Sequence, residues 1–460
     1  MFQEDYEAIE QGLRTAELEE GVNTESAGPI APPAEAFVER RKAFRPSRPT
    51  SLSSAGLNPS RIEGLILKTV QFVGVASGRA VASYLGLPFA LLQDELIRLQ
   101  KQKLLTYANV AEMGDYEYTP TEAGRNRARE YTEECSYLGV APVSYEDYVA
   151  SVNAQTIANE RPLEADLRRA FSDLLIADEM FNILGPAINS GRGMFLYGAP
   201  GNGKTSIAER ITRCYGRSVW IPQVLDLGGM IVKLFDPSVH EPIVPESDSR
   251  PRRGDVDGRW IEIRRPTVVV GGELTMDRLE ISYDPISRIS EASLQMKSNN
   301  GTLLIDDFGR QRMQPVELLN RMIIPLEKRY DYLTLSNGKN IRIPFDQLTL
   351  FSTNLEPKHL VDEAFLRRIP YKIQVTDPDE GSFRKLLWLL AEKLGFEEVQ
   401  SDPIDYLIET HYRPEGRSFR SCQPRDLMLQ ARSYCLYNDR PLRLTREVID
   451  FAVKCYFTKM

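Results

Sequence analysis

Residues Met194-Phe195-Leu196-Tyr197-Gly198-Ala199-Pro200-Gly201-Asn202-Gly203-Lys204-Thr205 constrain this 460-residue chain more than any other stretch. An apolar run of strand length leads into GxxxxGKT, and a helix is predicted from about Ser206 onward. Such a loop wraps phosphate with backbone N–H groups, because glycine has no Cβ to obstruct the approach and the following helix offers its positive end. On this reading Gly198, Ala199, Pro200, Gly201, Asn202, Gly203, Lys204, Thr205 and Ser206 cradle a nucleotide. Lys204 bridges the β- and γ-phosphates and Thr205 ligates Mg²⁺. About a hundred residues later a second apolar strand, Gly301 to Ile305, ends in Asp306-Asp307. Asp306 then completes the Mg²⁺ shell, and Asp307 orients or deprotonates an attacking water.

With these two motifs in this order the chain resembles the AAA+ ATPases, over roughly residues 155 to 458. The resemblance implies an α/β fold: a P-loop parallel sheet sandwiched by helices, with a C-terminal helical lid. Leu348 to Asn354 looks like the sensor 1 strand, with Asn354 holding the water or the γ-phosphate. Asp362 to Ile369 looks like the arginine-finger segment, in which Arg367 or Arg368 reaches a neighbouring subunit's nucleotide, Arg368 being preferred. Gln423-Pro424-Arg425-Asp426-Leu427 looks like sensor 2, placing Arg425 on the γ-phosphate. The implied cofactors are ATP and Mg²⁺, the implied reaction is hydrolysis of ATP to ADP and phosphate, and the implied assembly is a homo-oligomeric ring, expected to be a hexamer. Most of the family has Glu where this chain has Asp307. The shorter side chain predicts slow hydrolysis or an ATP-held switch, and the Asp-Asp form resembles that of replication initiators and helicase loaders.

The rest of the chain divides by composition and period. Met1 to Gly21 carries seven acids against one base, and Pro29 to Thr50 carries five prolines. Residues 1–55 are therefore expected to be a mobile tail. Residues 56–150 show three helical stretches, a two-stranded wing over Thr106–Ala111 and Tyr116–Tyr118, and a further helix, a pattern resembling a winged-helix domain. Residues 151–376 form the nucleotide domain, with an insertion over about 225–295. That insertion is expected to hold the strand-like Met230–Phe235, Arg259–Arg264 and Thr267–Val270, and a loop carrying Arg250, Arg252 and Arg253. Gln223 stands at a strand end where it would couple partner binding to the site. Asp331–Leu335 and Asn340–Ile343 flank Ser336-Asn337-Gly338-Lys339, a hairpin signal. Its place before sensor 1 resembles the clade of MoxR-like chaperones and enhancer-binding activators. Residues 377–460 carry helical periodicity over Ser382–Leu394, Pro403–His411, Pro424–Tyr437 and Thr445–Tyr456, and form the lid.

Charge narrows the partner. The net charge is −8, and Arg79 to Glu130 carries seven bases and seven acids, whereas DNA affinity comes largely from neutralising phosphates. The would-be recognition helix also places Asp94 and Glu95 where a base reader needs Arg or Lys. These counts favour a chaperone-like ATPase that remodels a protein client docked on the winged-helix domain. The alternative is an ATP-switched DNA-binding regulator or a helicase-loader-like protein. The five cysteines and three histidines are scattered without metal-ligand spacing, so no structural metal is expected. No apolar run approaches the roughly 18 residues that span a bilayer, and the acidic start does not resemble a signal peptide. No membrane insertion and a cytoplasmic location are expected.

Overall fold

The computed structural model describes residues 44–216, 218–243, 256–360, 363–397 and 399–457. Its centre is a parallel sheet of five strands: β1 (Met194–Tyr197), β2 (Thr267–Val270), β3 (Thr302–Ile305), β4 (Leu348–Thr353) and β5 (Tyr371–Gln374), in the order β2-β3-β4-β1-β5. Every residue of β3 and β4 is buried, as parallel strands covered on both faces require. Side-chain alternation sorts the two faces. Met194, Leu196, Leu304, Leu348, Leu350 and Ile373 pack with Leu184, Ile207 and Ile211 from the helices Asp178–Ser190 and Lys204–Thr212. Phe195, Val268, Val270, Leu303, Ile305 and Phe351 pack with Leu318, Leu319 and Met322 of the helix Pro315–Lys328. The register pairs Ile305 with Phe351 and Phe351 with Phe195, which brings the C-terminal ends of β3, β4 and β1 together.

The structure corrects the expected insertion. Thr267–Val270 belongs to the central sheet, paired residue for residue with β3, so the added material falls on both sides of it. A short apolar run carries no signal of which sheet it joins. The added strands build a mixed sheet in the order Ser282–Asp284, Ile289–Glu291, Met230–Lys233, Val224–Leu227 and Val143–Ser144, beside an antiparallel pair of Ser218–Pro222 with Trp260–Arg264. Arg250, Arg252 and Arg253 lie outside the described residues. The strands Tyr330–Thr334 and Asn340–Pro344 pair antiparallel around the turn at Ser336–Lys339.

Near the N-terminus, helices Pro59–Val73, Gly78–Leu85 and Phe89–Lys101 precede the hairpin Leu105–Val110/Tyr116–Pro120, which Ala76–Ser77 extends to three strands, and helix Glu122–Glu134 follows. Asn58, Ser77 and Thr121 cap three of these helices by accepting from the backbone N–H of Arg61, Ala80 and Gly124, satisfying donors a helix start leaves open. The fold begins before the expected boundary at residue 55. Residues 44–55 are built into the fold: Phe44 packs on Trp260 with ring centroids 5.8 Å apart, Pro46 O accepts from Asp257 N at 3.2 Å, and Ala55 is fully buried. The remainder of the expected tail lies outside the described residues. The N-terminal helices also share one apolar core with Val224 and Ile231 of the inserted sheet.

The C-terminal helices Glu380–Lys393, Ser401–Tyr406 running into a wider turn at Leu407–Tyr412, Gln423–Tyr437 and Arg446–Tyr456 close around Phe383, Leu387, Ile408, Leu427, Ala431 and Ile449. Among the described residues, no helix is long and apolar enough to cross a membrane, and no group of three His, Cys, Asp or Glu side chains is placed to hold a metal.

Candidate functional site

The site lies beyond the C-terminal ends of β1, β4 and β3, the crevice where parallel α/β sheets present their loops. The loop after β1 needs its glycines for two reasons. Gly198, Gly201 and Gly203 have φ of +143°, +82° and +78°, a region sterically disfavoured for other residues. A Cβ on Gly198 would also stand 2.3 Å from Val375 O, and one on Gly201 would stand 2.5 Å from Cys422 Sγ. Gly203 ends the loop, and the helix Lys204–Thr212 opens at once.

Lys204 is 7% exposed, and its ammonium folds back over the loop. Nζ donates to Gly198 O and Ala199 O, each at 3.0 Å, and to Asn354 Oδ1 at 2.7 Å. Burial holds its pKa below the usual lysine value and the Arg420 charge adds to that, while Asp306 and Asp307 oppose it. Asn354 Nδ2 donates in turn to Asp307 Oδ1 at 3.3 Å, so amine, amide and carboxylate form one chain across the ends of three strands. Thr205 Oγ1 donates to Asp306 Oδ2 at 2.7 Å, and Asp306 Oδ1 accepts from Asp307 N at 3.0 Å. Hydroxyl and carboxylate oxygens side by side are the hard donors Mg²⁺ takes, so the residues present fit the ion. Ser206 lies in the first turn of the helix, and Pro200 lies in the loop.

The lid touches the loop directly. Cys422 N donates to Gly201 O at 2.8 Å. Asn202, 5% exposed, donates through Nδ2 to Asp377 Oδ1 at 2.7 Å and accepts from Ser421 N at 3.3 Å. Asp377 also pairs with Arg420. Thus Arg420 is the lid cation turned to the loop, while Arg425 lies over half exposed and pairs with its neighbour Asp426 at 3.0 Å. The sequence pattern singled out Arg425 and missed Arg420, Asp377 and Cys422, which lie far from the loop in the chain and carry no spacing signal.

The two candidate finger residues sit apart from this cluster. Arg367 is exposed, and Arg368 Nε donates to Glu327 Oε1 at 2.5 Å on the helix Pro315–Lys328. Gln223 lies within the insertion, where its backbone receives Leu234 N and Phe235 N and donates to Arg259 O.

Residues 379–455 match the family model of a domain of unknown function, DUF8689, which covers the lid helices. A comparison with curated proteins found no match. Among solved structures, NtrX from Brucella abortus is similar at 14% identity and a TM-score of 0.39, covering 64% of this chain and 60% of that one. NtrX from Brucella abortus in complex with ADP is similar at 14% identity and a TM-score of 0.38, covering 62% and 56%. This chain therefore spans less than two thirds of either.

Proposed function

We propose that the chain is an AAA+ ATPase that hydrolyses ATP to ADP and phosphate and uses the cycle to remodel a protein partner. The observation that carries the reading is the Lys204–Asn354–Asp307 chain lying beside the Thr205–Asp306 pair. It gathers, at the C-terminal ends of three adjacent strands, a cation for transferred phosphate, hard oxygens for a divalent ion and a carboxylate for water. Mg²⁺ held by Thr205 and Asp306 would neutralise phosphate charge. Lys204 would exchange its two loop carbonyls for phosphate oxygens, and Asn354 and Asp307 would orient the attacking water. Arg420 is the C-terminal cation that we favour as a sensor of the nucleotide, ahead of Arg425, which lies on the helix that follows and pairs with its neighbour Asp426.

Arg367 and Arg368, away from the chain's own Lys204, suit a role in the neighbouring subunit's site, which requires a homo-oligomeric ring, proposed to be hexameric. Protein rather than DNA is the partner we favour through residues 56–150, in the cytoplasm. Arg98 is tied to Glu63 and Glu95, and Arg127 to Glu63 and Glu130, which removes basic charge from phosphate contact.

The test is ATP turnover per subunit across protein concentration, with Lys204→Ala and Arg368→Ala chains as controls. A steep rise with concentration that both variants abolish supports the ring ATPase. Absent turnover at every concentration sinks it. Binding of the full chain to duplex DNA with a steep salt slope would move the regulator reading ahead.

A further inference from the structure

We propose that Gln311 is a positioning residue for the hydrolysis reaction, one that fixes the carboxylate of Asp307. The inference rests on the ATPase reading above and adds a residue that neither the glycine loop nor the strand-end acids reveal.

Asp307 has φ of +47° and Gly309 has φ of +100°. The left-handed region is natural for glycine and costs aspartate more, although aspartate enters it more readily than most residues, so contacts around the turn help to hold Asp307 there. Residues around it are pinned to the sheet on both sides: Asp306 N donates to Val270 O and Phe308 N donates to Ser352 O, each at 2.7 Å. Phe308 is buried against Phe351, with ring centroids 5.3 Å apart. Within the turn Arg310 N also donates to Asp307 O at 2.9 Å, which leaves the Asp306 carbonyl and the second lone pair of the Asp307 carbonyl to a side chain.

The Gln311 side chain holds them. Its Nε2 donates to Asp306 O at 2.9 Å and to Asp307 O at 3.2 Å, and its Oε1 accepts from Gly309 N at 2.8 Å. One primary amide thus uses both N–H groups and its oxygen on a single turn of backbone. Glutamine alone among the side chains offers two donors and an acceptor at this reach. Glutamate of the same shape has no donor when ionised and would set its charge against two carbonyls, and asparagine is one methylene short. No atom of Gln311 is required at the phosphate for this role. It acts through Asp307, whose Oδ1 is then presented to Asn354.

The closing experiment uses the full chain and its Gln311→Glu and Gln311→Ala forms, each measured for nucleotide affinity by a fluorescent ATP analogue, for kcat and KM, and for thermal midpoint. Displacing a catalytic group by about an ångström can cost on the order of 100-fold in rate. The expected result is a kcat lower by about 10- to 100-fold, with affinity and KM within about twofold of the parent. In an Asp307→Asn background, where the carboxylate is already gone, Gln311→Glu is expected to add no further loss. The inference is overturned alone if the parent turns over and the Gln311 variants match it, if affinity falls in step with kcat, or if the two substitutions multiply. A parent chain that binds nucleotide and never turns over removes both this inference and the ATPase reading.

Discussion

Lys204 and Arg259 are both buried cations, 7% and 2% exposed, and they are held in opposite ways. Arg259 meets Asp257 in a bidentate pair, Nε to Oδ1 at 3.0 Å and Nη2 to Oδ2 at 2.7 Å, and its Nη1 donates to Ala55 O and Pro142 O at 2.6 and 3.0 Å. A fixed carboxylate answers its charge, and carbonyls from two other segments take its remaining donors. Among the described residues, Lys204 donates to neutral groups, two loop carbonyls and one amide. Burying a charge is tolerable when it is paired. The first cluster meets its charge with a carboxylate, whereas the second surrounds its charge with neutral acceptors. A buried cation with neutral partners is thus a better mark of a binding site than burial or charge alone.

The largest effect expected from this contrast is on stability. Arg259→Met leaves the buried Asp257 carboxylate without its partner and should cost about 3–5 kcal/mol, read from the denaturant midpoint of the full chain. An unchanged midpoint would mean the joint between the N-terminal helices and the insertion does not depend on the pair. Lys204→Ala should show the reverse pattern, with turnover lower by at least about 100-fold and stability unchanged or improved, since a desolvated ammonium is removed. Unfolding of that variant would place Lys204 in the same class as Arg259.

The lid arginines sharpen the comparison at smaller scale. Losing a charge-assisted contact worth about 1.5–3 kcal/mol, Arg420→Ala should lower turnover or ATP affinity by roughly 10-fold or more. Arg425→Ala should stay within about twofold, because its partner is its own exposed neighbour. Equal losses would show that the lid rearranges to bring Arg425 inward.

The smallest effect concerns a third buried base, which escapes the problem by staying neutral. His240 is 2% exposed. Its Nδ1 accepts from Asp236 N at 3.1 Å, and its Nε2 donates to Lys297 O at 2.8 Å. Burial holds its pKa below the ordinary 6.5. The unfolded chain therefore binds the proton more readily, and stability present above pH 6.5 is lost as the pH falls below it, by at most about 1.4 kcal/mol per pH unit. His240→Gln should flatten that slope in acid-unfolding curves. An unaltered slope would assign the acid sensitivity to other groups.

The parts of the site legible in the sequence are those written in neighbouring residues. Glycine spacing announces Lys204 and Thr205, because a close backbone approach can be met only by residues without a Cβ. Asp306 and Asp307 follow from a strand that ends in acids. Asn354 is recognisable once its strand is in place. Arg420 and Asp377 were not legible, since their importance comes from a lid folding back onto a loop more than 170 residues away. Gln311 hides for a different reason: its role depends on the φ of Asp307, which no residue pattern displays. In the fold, the β-branched run Thr267–Val270 fits either sheet by its sequence, and the proline and arginine composition of residues 44–55 does not reveal a partner such as Trp260.

The shared core between the N-terminal helices and Val224 and Ile231 bears on where the chain can be divided. A break placed near residue 150, where the sequence changes character, would strip an apolar surface from both halves. Each half cut loose there would carry the exposed face of a divided core into water, so the two are expected to stay soluble only when made as one polypeptide.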